Sequence, residues 1–267
     1  MIRSPVVAGQ FYPGSPGGLR RMIESMLDKK AEKVEAIGLV SPHAGYIYSG
    51  AVAAAVISRV KFKETFVILG PNHTGRGKAF SIMSEGTWRT PLGDIEIDSE
   101  LGKRILATSS CLEEDHMAHQ FEHSLEVQVP FLQYFKPDVR IVPVVIGHAS
   151  GALYKKIGSE LAGAIKESKK GVIILASSDM THYEPHETAR RKDSQAIEAI
   201  IDLNEDELLR RVDEFDISMC GYAPAVSLIS AAKDLGAKKA ELVKYQTSGD
   251  TSGDYDSVVG YAGIIVK

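Results

Sequence analysis

Four short apolar runs constrain this chain more than any other feature: AIGLV at 36 to 40, TFVIL at 65 to 69, VRIVPVVIG at 139 to 147 and GVIILASS at 171 to 178. Each is a near-continuous block of mostly branched side chains, the pattern of a strand covered on both faces. Stretches with helical spacing lie between them. Residues 17 to 32 place Leu19, Met22, Ile23, Met26 and Leu27 on one face, with Arg20, Arg21 and Glu24 between them. AVAAAVISRV offers small side chains for a helix packed closely on a sheet, and residues 150 to 168 carry Leu153, Ile157, Leu161 and Ile165. Alternating β and α elements predict a three-layer α/β/α domain.

Antiparallel strands should be added to that core. AFSIMSEGTWRTPLGDIEID alternates around Thr90-Pro91-Leu92-Gly93, where proline and glycine take favoured turn positions, so a hairpin is expected after the second crossover. Two last strands, near 240 to 246 and 257 to 266, flank TSGDTSGDYD, a tandem repeat too short to be architectural. The central sheet is therefore expected to be mixed. Residues 99 to 107 have a helical pattern, and 108 to 121 have little periodicity and read as loop. The helical pattern beginning at Glu122 should break at Pro130, which removes a donor and clashes one turn back. Residues 188 to 235 read as mostly helical, with Asn204 and Glu207 spaced as a capping pair for 205 to 214. No linker divides the chain, so residues 1–267 are expected to form a single domain.

Composition narrows the function classes. The 44% hydrophobic and 25% charged residues and the net charge of -4 are those of an ordinary globular protein. The charges are dispersed, with no basic stripe, which argues against nucleic acid as a partner. No segment approaches the ~20 apolar residues of a membrane span, and MIRSPVVAGQFYP lacks a signal-peptide core, so a cytoplasmic location is expected. Cys111 and Cys220 are the two cysteines, too few for a disulfide framework. There is no phosphate-binding glycine loop, HExxH, paired CxxC or dinucleotide fingerprint, and nucleotide chemistry is not expected.

The residues just past the strand ends carry the chemical interest. His43 follows the first run in Ser41-Pro42-His43-Ala44-Gly45-Tyr46, and His73 follows the second in Gly70-Pro71-Asn72-His73-Thr74-Gly75. In open α/β sheets ligands bind outside the carboxyl ends of the strands, so these imidazoles could meet in one crevice as metal ligands. A single such histidine more often caps a helix or bonds a carbonyl, but two in equivalent positions favour a site. Asp179 and His182 follow the GVIILASS run and could form a proton-transfer pair; the alternative is a helix N-cap and a surface histidine. His123, with Glu122 and Glu126, is a further candidate cluster in which a glutamate could orient a ligand histidine, against the alternative of a solvated helix face. Cys220, in Met219-Cys220-Gly221-Tyr222-Ala223-Pro224, is a buried small hydrophobe, a ligand or a nucleophile. His116, His119 and His148 have no supporting context, and His186 reads as surface.

Taken together, GQFYP, SPHAGY, ILGPNH, TPLGD, EHSLEVQVPF, PVVIG, SSDMTHY and MCGYAP, in that order, resemble the Memo family across essentially the whole chain. The resemblance implies a single three-layer domain with a mixed central sheet, similar to class III extradiol ring-cleaving dioxygenases. It implies that His43, His73 and Cys220 are metal ligands and that Asp179 and His182 line the same pocket, His182 standing where those dioxygenases have an acid–base histidine. Cys220 departs from their pattern, in which a carboxylate completes a two-histidine face for Fe(II), and this argues against dioxygenase activity. One transition metal ion is implied, iron or copper ahead of zinc. The family further suggests a metal-dependent redox enzyme, or else a non-catalytic module that binds a peptide or protein partner in the same crevice. Microbial relatives suggest radical-SAM and AMMECR-type pathway partners.

Overall fold

The four apolar runs become the strands Gly38–Ser41, Thr65–Pro71, Arg140–Ile146 and Val172–Ser177 in the computed structural model, which describes residues Met1–Lys267. They are parallel, in the spatial order Gly38–Ser41, Val172–Ser177, Thr65–Pro71, Arg140–Ile146. Ser41 lies opposite Ser177, Leu69 opposite Ala176 and Pro71 opposite Ile146, so the four carboxyl ends finish almost level. Whatever follows each strand is thereby delivered to one rim.

Side chains alternate between the two faces of these strands, as a period of two requires. Val40, Val67, Leu69, Val142, Val144, Ile174 and Ala176 join one core with helices Gly151–Ser168 and Tyr222–Asp234. Leu39, Phe66, Ile68, Ile141, Val145, Ile173 and Leu175 join the other with helices Pro16–Met26, Tyr46–Ser58 and Val129–Phe135. These are the two outer layers of a single α/β domain.

Antiparallel strands extend both sides, giving a mixed nine-stranded sheet. Val258–Val266 pairs with Gly38–Ser41 and carries Ala240–Thr247 and His182–Glu184, while Phe80–Ile82 pairs with Arg140–Ile146 and carries Glu113–Glu114. The expected hairpin is real but shorter than the alternating segment. Thr87–Thr90 and Gly93–Glu96 form it and join the N-terminal Ile2–Arg3 in a separate three-stranded sheet, whereas Phe80–Ile82 belongs to the main sheet.

Several boundaries differ from the sequence pattern for local reasons. The first helix stops at Met26, where Leu27 turns extended and the Asp28 carboxylate accepts from Lys30 N, closing a turn. Pro130 opens a new helix, Val129–Phe135, instead of ending one, because its missing N–H costs nothing in the first turn. The stretch 108 to 121 holds Glu113–Glu114 and Met117–Gln120, elements too short to show a period. Asn204 caps Glu205–Glu214 through Glu207 N, as its spacing predicts. No helix is long and apolar enough to cross a membrane.

The N-terminal strand is held by a buried ion pair. Arg3 Nη1 lies 2.7 Å from Glu126 Oε2, with 3% and 1% of the two side chains exposed. Arg3 also donates to the His119 and Glu122 carbonyls and lies 4.2 Å from the centre of the Trp88 ring. Glu126 accepts further bonds from Val6 N, Val7 N and Tyr12 Oη. Removing one partner of such a pair strands the other charge out of water, so Glu126→Ala is expected to cost about 3–5 kcal/mol of stability. Denaturant unfolding of the two proteins checks this, and a loss under ~1 kcal/mol would contradict it.

Candidate metal centre

The level strand ends place His43 and His73 on one rim, and the short helix His123–Glu126 brings a third imidazole to them. One ligand atom from each of His43, His73 and His123 lies within 4.8 Å of the other two. The ring centres are 5.2 Å apart for His43 and His73, 5.5 Å for His43 and His123, and 4.8 Å for His73 and His123.

Hydrogen bonding decides which ring nitrogens face the centre. Glu122, fully buried, accepts from His73 N at 2.7 Å and contacts His73 Nδ1 at 2.8 Å. An ionised carboxylate can only accept, so the Nδ1 of His73 carries a hydrogen, and the neutral tautomer this bond selects has its lone pair on Nε2. Burial alone would raise the pKa of Glu122, but its bonds to His73 and Ser124 hold it down at about 2.

For His43 the same result follows from a different partner. Ser177 Oγ donates to the Ser124 carbonyl at 2.7 Å and so can only accept from His43 Nδ1, 3.0 Å away. Gln128 Nε2, fixed by the Pro42 carbonyl at 2.9 Å, donates to the same hydroxyl at 2.8 Å. His43 therefore also keeps its lone pair on Nε2. Burial pushes His43 well below the usual imidazole value, and His123 is lowered chiefly by burial too, so both rings are held neutral.

Three imidazoles suit zinc, copper or non-haem iron and do not suit the oxygen-seeking magnesium or calcium. Carboxylates that orient ligand histidines from behind, as Glu122 does, are a regular part of such sites. The three rings line a cavity of about 500 Å³, together with Phe11, Tyr48, Tyr261, Asp179 and His182.

The other residues singled out from the sequence are close by. Asp179 Oδ1 accepts from His43 N at 2.7 Å, and burial raises its pKa. His182 Nδ1 lies 2.9 Å from the Ser218 carbonyl, which can only accept, so Nδ1 carries a hydrogen and Nε2 takes no part in that bond. Cys220 Sγ is 3.3 Å from His43 Nε2 and accepts from Asp179 N at 3.3 Å. Burial and the Asp179 carboxylate push this thiol well above its usual range, so it is protonated in the metal-free protein.

Cys220 thus touches the same His43 nitrogen without being one of the three converging groups. His123 is the group that sequence reasoning underweighted, through the assumption that a charged helical turn faces solvent. The available signal was Glu122 and Glu126 on either side of it, both fully buried here. His148 follows the fourth parallel strand and is exposed.

Comparison with known proteins agrees with this architecture. A family described as Memo-like protein matches residues 3–265. A MEMO1 family protein of Methanococcoides burtonii is 48% identical over 270 residues, covering 100% of both chains. Another, of Desulfurococcus amylolyticus, is 47% identical and covers 98% of each chain. A solved structure of an uncharacterized protein, JW3007, from Escherichia coli K12 superposes with a TM-score of 0.56 at 15% identity, over 85% of this chain and 98% of that one, which shows a shared fold.

The hydrogen-bond network makes a prediction that needs no metal. Nitrogen NMR of the metal-free protein is expected to show His43 and His73 as Nδ1–H tautomers. Ser177→Ala should perturb the His43 ring and leave His73 unchanged, whereas Glu122→Gln should perturb the His73 ring, and His123 with it, and leave His43 unchanged. Nε2–H signals for both rings in the unaltered protein would contradict the assignment.

Proposed function

Since the chain belongs to the Memo-like family, we propose that it is a metal-binding member whose single transition metal ion is held by His43, His73 and His123, with Cys220 as an added sulfur donor. The convergence of three imidazoles on the lining of one cavity carries this proposal. A thiolate beside imidazoles favours copper, zinc or iron over harder ions.

The proposed activity is redox or oxygenase-like chemistry on a small molecule. A bound ion would supply a Lewis-acidic, redox-active position next to the substrate. The chain's own groups do the rest. Phe11, Tyr48 and Tyr261 present aromatic surface, Ser248, Ser252 and Ser257 present hydroxyls or backbone groups, and His182 Nε2 can take or give a proton. Asp179 positions His43 through its backbone N–H. The converging set contains no carboxylate, so the two-histidine, one-carboxylate face of ring-cleaving dioxygenases is not what we propose.

A second use of the same crevice, capture of a peptide or protein without turnover, draws support from Tyr183, 78% exposed at the cavity rim. Turnover separates the two.

Titration of metal-free protein with ferrous, cupric and zinc ions is expected to give one equivalent bound. His43→Ala and His123→Ala should each weaken binding by about 100-fold or more, beyond the loss typical of an outer partner. A smaller loss in Cys220→Ala would mark sulfur participation. Equal stoichiometry and affinity in all three variants would overturn the proposal.

A further inference from the structure

A second cavity, of about 420 Å³, lies on the other side of His73. His73 lines both cavities, while Cys220 lines only the second and touches His43 Nε2 at 3.3 Å. The segment from Ile217 to Ala223 is the partition between them. Ile217, Ser218, Met219, Cys220 and Ala223 all line the second cavity, and from there Ser218 holds His182, which lines the first, through its hydroxyl and carbonyl. The partition is pinned: Gly221 N donates to Ser178 Oγ at 3.0 Å, and a Cβ at Gly221 would collide with the Ser177 carbonyl.

The two cavities also differ in chemistry. No aspartate, glutamate, lysine or arginine lines the second one; its walls are Ile146, Ile217 and Met219 with polar groups that include the His73 and His148 rings. Asp179 and His182 line the first. His148 stands at the second cavity and is exposed. Such a lining admits a small uncharged molecule and discriminates against ions, which would lose hydration without gaining a counter-charge.

We propose that this second cavity is a separate entrance through which a small uncharged reactant reaches the Cys220 face of the His43–His73 site while the first cavity is occupied. Its role in catalysis rests on the metal-centre proposal above, but the entrance itself is tested without metal.

In Cys111→Ser protein Cys220 is the sole thiol. Neutral methyl methanethiosulfonate and its anionic sulfonatoethyl and cationic trimethylammonioethyl analogues serve as probes at a single pH. In each, the Cys220 sulfur, having lost its proton to solvent, forms a mixed disulfide as methanesulfinate leaves. The neutral probe is expected to react about tenfold faster or more than the charged ones, since thiol reactivity follows access. His148→Trp, at the second cavity, should slow the neutral probe by about tenfold, and Ser257→Trp, at the first, should leave it unchanged.

Slowing by Ser257→Trp but not by His148→Trp, equal rates for neutral and charged probes, or no labelling by the neutral probe would each overturn the proposal. A protein that labels as expected yet binds no metal in the titration above would refute the metal centre alone.

Discussion

The candidate site depends on one turn of helix that buries two carboxylates four residues apart. Glu122 and Glu126 lie at either end of a turn whose remaining ionisable side chain is His123. A carboxylate removed from water is tolerated only when its oxygens are filled by donors. Glu122 is filled by His73 N, His73 Nδ1 and Ser124 N, and Glu126 by Arg3, Val6 N, Val7 N and Tyr12 Oη. The first set orients a histidine of the site. The second ties down the N-terminal segment, which brings Phe11 within 5.0 Å of the His123 ring.

The sheet supplies the other half of the geometry. Four parallel strands ending almost level put His43, His73, Asp179 and His148 on one rim, in the place where such sheets bind ligands. Since Val172–Ser177 lies between Gly38–Ser41 and Thr65–Pro71, Ser177 can reach the His43 ring and Asp179 its backbone. The site is thus a consequence of strand order as much as of the side chains themselves.

Much of the core was legible because buried parallel strands leave an unambiguous apolar signature, and proline and glycine mark the turns that follow. His43 and His73 were legible because both follow such strands. His123 was not, since whether a helical turn faces solvent or protein is set by what packs on it, and here that is the N-terminal segment, from over a hundred residues away in sequence. The segment from 79 to 98 misled for a related reason: alternation identifies strands but not their partners, and Phe80–Ile82 pairs with Arg140–Ile146 instead of with its neighbour.

By itself, then, the amino-acid order determined the layered α/β class, the two strand-end histidines and the resemblance to the Memo family, because these rest on local pattern and on motifs in fixed succession. The tertiary structure alone decided that His123 joins them, that Nε2 of His43 and of His73 bears the lone pair, and that Cys220 sits against His43 while lining a cavity of its own. Those properties arise between residues distant in sequence, where hydrogen-bond complementarity and burial set protonation and direction, and no local pattern records them.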